Sequence, residues 1–347
     1  MSLRAIRPEL SSVAASLLLA AACSGETVAK PPPAPVNWQS FARSFTDAGA
    51  SSPSAKESAI AQQYGDALGS PGFALLGHLL NEDAHFSFPA ASLDDVTGRD
   101  AVVQAHAALF GAFDPRRFVA SRVLRTASEQ TVEWTLSGVQ SRDWMGATAT
   151  HKPVVFQGVT LLWTKDDGTV TDVHVYFDVA AVKAQVGAGP RELEGLAPPA
   201  IPSGPAQVVE AGPQVPESAA TVRTALAALE NNSESAYVDT MADEVEVHTL
   251  DRAYPARGRE EQRAYFKAMH KAIAQLDTTI DNALSVGAYA VVEYSITGEQ
   301  LAPIGWVPLQ RDRVVKLHVV DVAEVQNAKV ARVWRYDNPS EMATPGP

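Results

Sequence analysis

At 347 residues, with 46% apolar and 20% charged side chains, the chain has the length for two ordinary domains and the composition to bury a core in each. A formal charge of −12 with no basic stripe excludes a surface built for phosphate backbones, and so a nucleic-acid partner. Cys23 is the one cysteine, so disulfides, thiol nucleophiles and cysteine metal sites are excluded from the rest of the chain.

The first feature in chain order is a targeting segment. Arg4 and Arg7 precede the apolar run SVAASLLLAAAC, residues 12–23, which is too short to span a bilayer as a helix and has the shape of an export signal. Residues 1–22 are expected to be a signal peptide. Cys23 follows LLLAAA directly and resembles the acylated cysteine of a lipoprotein, although Ala20 stands where leucine is usual. The expectation is an exported protein, lipid-anchored in the cell envelope (periplasm or outer membrane), with contact to the membrane only through that anchor. The alternative is cleavage after the alanines, leaving a soluble periplasmic or secreted protein. No other stretch is apolar and long enough to cross a membrane. Residues 23–57, with KPPPAPV and DAGASSPSAKE, read as a Pro/Ala/Ser-rich tether, within which Trp38, Phe41 and Phe45 keep helical spacing.

A second break is the stretch 188–216, where prolines at 190, 198, 199, 202, 205, 213 and 216 forbid a helix or a central strand. It separates a first globular half, 58–187, from a second, 217–340, followed by a tail, 341–347. The halves repeat each other at a shift of 160 residues without gaps: EWTLSGVQ at 133–140 returns as EYSITGEQ at 293–300, and GRD at 98–100 as GRE at 258–260. The same shift carries Asp83 to Asp243, Val154-Val155 to Val314-Val315, Val173 to Val333 and Tyr176 to Tyr336.

Each half opens with helical segments, KESAIAQQYGDAL in one and PESAATVRTALAALEN in the other, and then a short extended run, AHFSFP or EVEVHTL. A helix after GR(D/E) keeps one apolar face, through Ala105, Leu109 and Phe113 or through Tyr265, Met269 and Ile273. Three or four segments of period two follow, with a hairpin turn at DDG, 166–168. Helices first and a strand meander after is an α+β pattern.

At this point the residues resemble a known family. Trp134, Gly138, Trp144-Met145-Gly146, Lys152-Pro153-Val154, Gly158, Gly168, Tyr176, Asp178 and Gln185-Val186-Gly187 resemble the C-terminal half of SnoaL-like polyketide cyclases, of the nuclear transport factor 2-like superfamily. The resemblance covers most of 58–187. The second half is looser: it keeps Gly298 and KVARVWRYD, and lacks the Lys-Pro-Val strand start and the Gln-x-Gly tail. What the resemblance implies is a tandem of two cones, each a curved antiparallel sheet wrapped around helices, with an apolar cavity for a small hydrophobic molecule. Related single-domain proteins often dimerise through their sheets, so the two copies are expected to form an intramolecular pseudo-dimer.

Several residues then stand out as candidates. In the last strand of the first copy His174, Tyr176 and Asp178 share one face, with Val173, Val175 and Phe177 on the other. If the first face lines the cavity, His174 and Asp178 form a general acid/base pair for cyclase- or isomerase-type chemistry without metal or cofactor, run mainly by the first copy. The competing reading makes His174 an ordinary strand residue and Asp178 the cap of the following helix. Trp134, Gln157 and Tyr176 are expected to contact ligand, with Phe86 and Phe88 near the cavity mouth and His248, Trp334 and Tyr336 at the corresponding places of the second copy. Glu133 and Glu293 recur in both copies, either as a shared ion pair or as a pocket acid. The eight histidines show no metal-ligand spacing. A non-catalytic binding or interaction protein of the envelope is the alternative function.

Overall fold

The computed structural model describes residues 55–89, 95–211 and 217–343, which all lie in one compact unit, Asp47–Pro347. The expected signal peptide, Cys23 and the tether up to residue 54 lie outside the described residues. The first half runs α1 (Ala55–Gly69), β1 (Leu80–Ser87), β2 (Val96–Thr97), α2 (Arg99–Phe110), β3 (Phe113–Arg125), β4 (Glu129–Gln140), β5 (Pro153–Thr164), β6 (Val170–Tyr176) and α3 (Val179–Val186). A short strand from the linker, β7 (Gln207–Glu210), follows. The second half runs α4 (Glu217–Glu230), α5 (Glu234–Asp239), β8 (Met241–His248), β9 (Ala256–Arg257), α6 (Gly258–Ala272), β10 (Ile273–Val286), β11 (Tyr289–Gln300), β12 (Val314–Gln326), β13 (Lys329–Asp337) and α7 (Ser340–Ala343).

The sheet orders are β2-β1-β6-β5-β4-β3-β7 and β10-β11-β12-β13-β8-β9, so the two halves are two α+β cones of the nuclear transport factor 2-like kind. The long third strand of each is broken twice in register, between Phe113 and Arg116 and between Ala120 and Arg122 in β3. In β10 the breaks lie between Ala274 and Asp277 and between Ile280 and Asn282. Bulges at like places bend both sheets around their helices. The GR(D/E) repeat has a structural reason: Arg99 Nε donates to the Leu80 carbonyl at 3.0 Å, and Arg259 does the same to Met241, pinning each helix start to the first long strand of its sheet.

The shift of 160 holds at β4/β11 and β6/β13 but becomes 161 at β1/β8 and β5/β12, where Phe86 matches Val247 and Phe156 matches Leu317. The gap-free register of the sequence reading is corrected accordingly. Single-residue length changes fall in loops, where they cost little packing. His248 therefore corresponds to Ser87, and Asp321 to Thr160.

The linker adds β7 as a parallel edge strand beside β3, through the proline-free run QVVE. Alternation along the strands gives each cone an inner face, holding the core, and an outer face. Outer residues Leu124, Val159, Leu161 and Tyr176 of the first half pack with Val286, Val291, Val320, Val322 and Tyr336 of the second. Within that seam the repeated glutamates are exchanged. Tyr336 donates to Glu133 at 2.6 Å, and Tyr176 donates to Glu293 at 2.6 Å.

Candidate functional site

The inside of the first cone is filled with rings. Phe86, Phe110, Trp134, Phe156 and Phe177 are all buried, with Phe110 edge-on to Trp134 at 5.7 Å and Phe156 against Phe177 at 5.2 Å. Its polar atoms satisfy one another: Trp134 Nε1 donates to Thr160 at 2.9 Å, and His106 donates from Nδ1 to the Val102 carbonyl at 2.8 Å. The His106 Nε2 then accepts from the Tyr64 hydroxyl at 3.0 Å, and burial lowers the imidazole pKa to about 4, so it stays neutral.

The second cone is open. A cavity of about 420 Å³ is lined by Tyr265 and Met269 of α6, Leu317 of β12, Arg335 and Asp337 of β13, Met342 of α7 and the Pro303–Trp306 stretch. Helix α6 presents Phe266 and Met269 inward and carries Glu260 and Glu261 in its first turn, where carboxylates favour the helix dipole. In β13 the inward positions are Val333, Arg335 and Asp337, so two charged groups stand at core places.

Arg335 is fully engaged. Its Nε and Nη2 each donate to Asp321 at 2.8 Å, its Nη1 donates to the Tyr265 hydroxyl at 2.7 Å, and Tyr294 donates to the same aspartate at 3.0 Å. The aspartate neutralises the buried guanidinium, which is why both charges are tolerated there. Asp337 has no hydrogen-bond partner among the described residues. Burial, and then the negative charges of Asp251, Asp178 and Asp321 against the opposing Arg335, push its carboxyl well above the usual range. Trp306, on the cavity wall, has a buried Nε1 with no acceptor. The cavity is thus a mostly apolar chamber whose wall also carries the Asp337 carboxyl and the Trp306 indole, with the indole N–H buried in that wall.

The residues singled out from sequence fall elsewhere. Val173, Val175 and Phe177 take the inner face of β6, which turns His174 and Tyr176 outward toward the second sheet. His174 Nδ1 lies 2.7 Å from Glu293, and its side chain is 24% exposed, so it does not enter the cone. Asp178 is buried and caps α3, accepting from the amides of Ala180 at 2.8 Å and Ala181 at 3.1 Å, with its second oxygen unpartnered. The expected acid/base pair is therefore divided, because strand parity puts the apolar side chains of β6 inside. Phe86, Phe88 and Trp134 are core of the first cone, and Tyr176 and Tyr336 hold the exchanged glutamates.

Gln157, His248 and Trp334 line a different space, a cleft of about 530 Å³ between the two domains. There Arg122 lies 3.7 Å over the Trp334 ring and 4.8 Å from that of Tyr289, and pairs with Glu133. His248 stacks on Trp334 at 5.6 Å. Arg122 and Glu133 are spent on each other there. Sequence reasoning missed Tyr265, Trp306, Asp321, Arg335 and Asp337. The available signal was parity: the repeat aligns Arg335 with Val175 and Asp337 with Phe177, charged residues where the first copy is apolar.

The sequence model described as "SnoaL-like domain" matches residues 61–173 and again 222–333, together more than half of the chain. No curated protein matches the chain. Among solved structures, TsrD from Streptomyces laurentii is 18% identical, covering 38% of this chain and 100% of its own, with a TM-score of 0.34. A SnoaL-like protein of Jannaschia sp. CCS1, named for the polyketide cyclases, is 16% identical over 39% of this chain and 99% of its own, with a TM-score of 0.33. An LEH-like epoxide hydrolase of M. tuberculosis is 17% identical over 38% and 89%, with a TM-score of 0.31. At those scores the likenesses carry no argument about chemistry.

Proposed function

Because the chain belongs through both halves to the SnoaL-like domain family, we propose that it binds a small, mostly apolar molecule carrying a carbonyl-type oxygen in the cone of its second domain. The observation that carries this reading is the unpartnered, pushed-up carboxyl of Asp337 at the end of a 420 Å³ apolar cavity. A protonated carboxyl can donate a hydrogen bond to an uncharged oxygen where a carboxylate would repel it, and Trp306 Nε1 adds a second donor. Donation to a carbonyl polarises it, the first requirement of cyclase- or isomerase-type chemistry. Asp321 is not available as a base, because both its oxygens are taken by Arg335, with Tyr294 on one of them; a catalytic role would fall to Asp251, the carboxylate on the same cavity wall whose charge acts on Asp337.

The test uses an apolar ketone dye, Prodan, and the shift of its emission on binding. Wild type is expected to bind. Leu317→Phe, which restores the ring found at Phe156, is expected to abolish binding, and Asp337→Asn to remove its weakening as pH rises. Equal binding by Leu317→Phe would place the ligand outside the cone and end the reading. We propose further that the two copies form within one chain the pair that related domains form between chains, and that the chain is exported and anchored through Cys23. The reciprocal glutamate exchange supports the first idea, and separately expressed halves that associate as a 1:1 pair would test it. Labelling by radioactive palmitate, abolished in Cys23→Ala, would test the second.

A further inference from the structure

The seam between the two domains has two ends, related by the repeat but built from different chemistry. At one end Glu133 accepts from Tyr336 and pairs with Arg122, whose guanidinium lies between the rings of Tyr289 and Trp334. An arginine stays charged at every relevant pH, so this end has a permanent cation. At the other end the equivalent of Arg122 is Asn282, that of Trp334 is His174, and that of Tyr289 is Glu129. Asn282 donates to Glu129 at 2.6 Å, while His174 and the Tyr176 hydroxyl hold Glu293 at 2.7 and 2.6 Å. Glu129 and Glu293 are 7% and 3% exposed, and among the described residues neither is bonded by a lysine or arginine.

From this asymmetry we propose that the His174 end of the seam is a proton-operated clasp, closed in mildly acidic solution and loosened in alkaline, while the Arg122 end acts as the fixed side. One imidazole, bonded to Glu293, is the cation whose charge also acts on the buried Glu129, so losing a proton from His174 or Glu129 leaves negative charge at this end of the seam with no buried lysine or arginine among the described residues to neutralise it. The other groups facing it are mostly acidic. His85, Asp172 and Asp95 stand on the His174 side, and Asp281, His318, Glu341 and Lys316 stand toward Glu293. Lys316 is exposed and cannot replace a buried cation.

The titrations support the geometry and agree in sign. Burial pushes the Glu129 carboxyl up to about 7; Asn282 opposes this and the charge of Glu293 adds to it. For His174 burial would lower the value, but the hydrogen bond and charge of Glu293, with Asp172 and Asp95, outweigh it and raise the imidazole above its ordinary range. In both cases the closed seam holds its proton more tightly than the open one. The Glu129 contribution is complete near pH 4.5 and is lost as pH rises through about 7. The His174 contribution is complete below about 6.5 and is lost as pH passes its raised value. Each step weakens the same contact as pH rises.

Hydrogen exchange of the full chain, read by mass spectrometry at pH 6 and pH 8.5 and corrected for the intrinsic rate, distinguishes the two ends. Peptides over 172–176 and 291–296 are expected to lose protection by at least about tenfold at the higher pH, and peptides over 120–124 to change far less. His174→Gln combined with Glu129→Gln is expected to flatten the response while preserving hydrogen-bonding capacity. An equal response at both ends overturns the proposal, as does a full response that survives in the double variant. Should the double variant fail to fold, the wild-type contrast between the ends still decides.

Discussion

At the centre of the first cone stand Phe177, Phe156 and Trp134; in the second the same three places belong to Asp337, Leu317 and Tyr294, with a 420 Å³ cavity beside them. The frames are alike in strand order and bulge position. What differs is the volume and polarity of a few inward side chains. In the first cone Trp134 donates to Thr160 and the interior is full. In the second Tyr294 donates to Asp321, which brings Arg335 in with it, and the smaller Leu317 leaves room for a guest. The comparison teaches that a duplicated frame can carry one copy with its centre packed by aromatic rings while the other keeps a chamber in the same place.

The largest effect should come from breaking the charged centre of the second cone. Arg335→Leu imitates Val175 but leaves Asp321 buried with Tyr294 as its remaining donor. Removing one partner of a buried pair costs roughly 3–5 kcal/mol, to be read from urea unfolding. A loss below about 1 kcal/mol would mean that the pair does not set the character of this cone. A smaller effect is expected at Asp178, whose counterpart in the second copy is the buried Asn338. Burial pushes the Asp178 carboxyl up to about 7, so its ionisation opposes folding increasingly as pH climbs from 3.8 through about 7. Asp178→Asn retains a capping oxygen and is expected to stabilise the protein at pH 8, on the order of 2–4 kcal/mol, and to be near neutral at pH 4. Thermal unfolding at the two pH values checks this. Unchanged stability at pH 8, or lost ligand binding, would return Asp178 to the list of functional groups.

The frame was legible because it is written in periodicity and repetition: alternating strands, the GR(D/E) helix starts and the proline-rich linker each have a local cause. The site was not, because local signals cannot say which face of a strand turns inward. His174, Tyr176 and Asp178 form the polar-looking face of β6, and a cavity with chemistry was expected there. A second sheet covers that face instead. The same ambiguity hid Arg335 and Asp337, which look like surface residues until the repeat aligns them with Val175 and Phe177. Nor could family motifs show that the first cone is packed solid, since Phe156 and Phe177 act through volume rather than pattern.

The finest distinction between the cones lies in their turns. Trp144 and Ala147 bridge one turn, and Ile304 and Val307 the other, and each carries a tryptophan. In the first, Trp144 Nε1 donates to the Leu109 carbonyl at 2.8 Å. In the second, Trp306 Nε1 is buried on the cavity wall without an acceptor. An unanswered buried donor costs stability in the empty protein and returns it when a guest supplies an oxygen. Trp306→Phe is therefore expected to move two readouts in opposite directions, holding or slightly raising unfolding stability while weakening Prodan binding about fivefold, which is about 1 kcal/mol. Trp144→Phe, by contrast, strips the Leu109 carbonyl of its donor and should lower stability with binding unchanged. If both variants behaved alike, the indole at 306 would be packing rather than recognition, and the polar end of the chamber would rest on Asp337 alone.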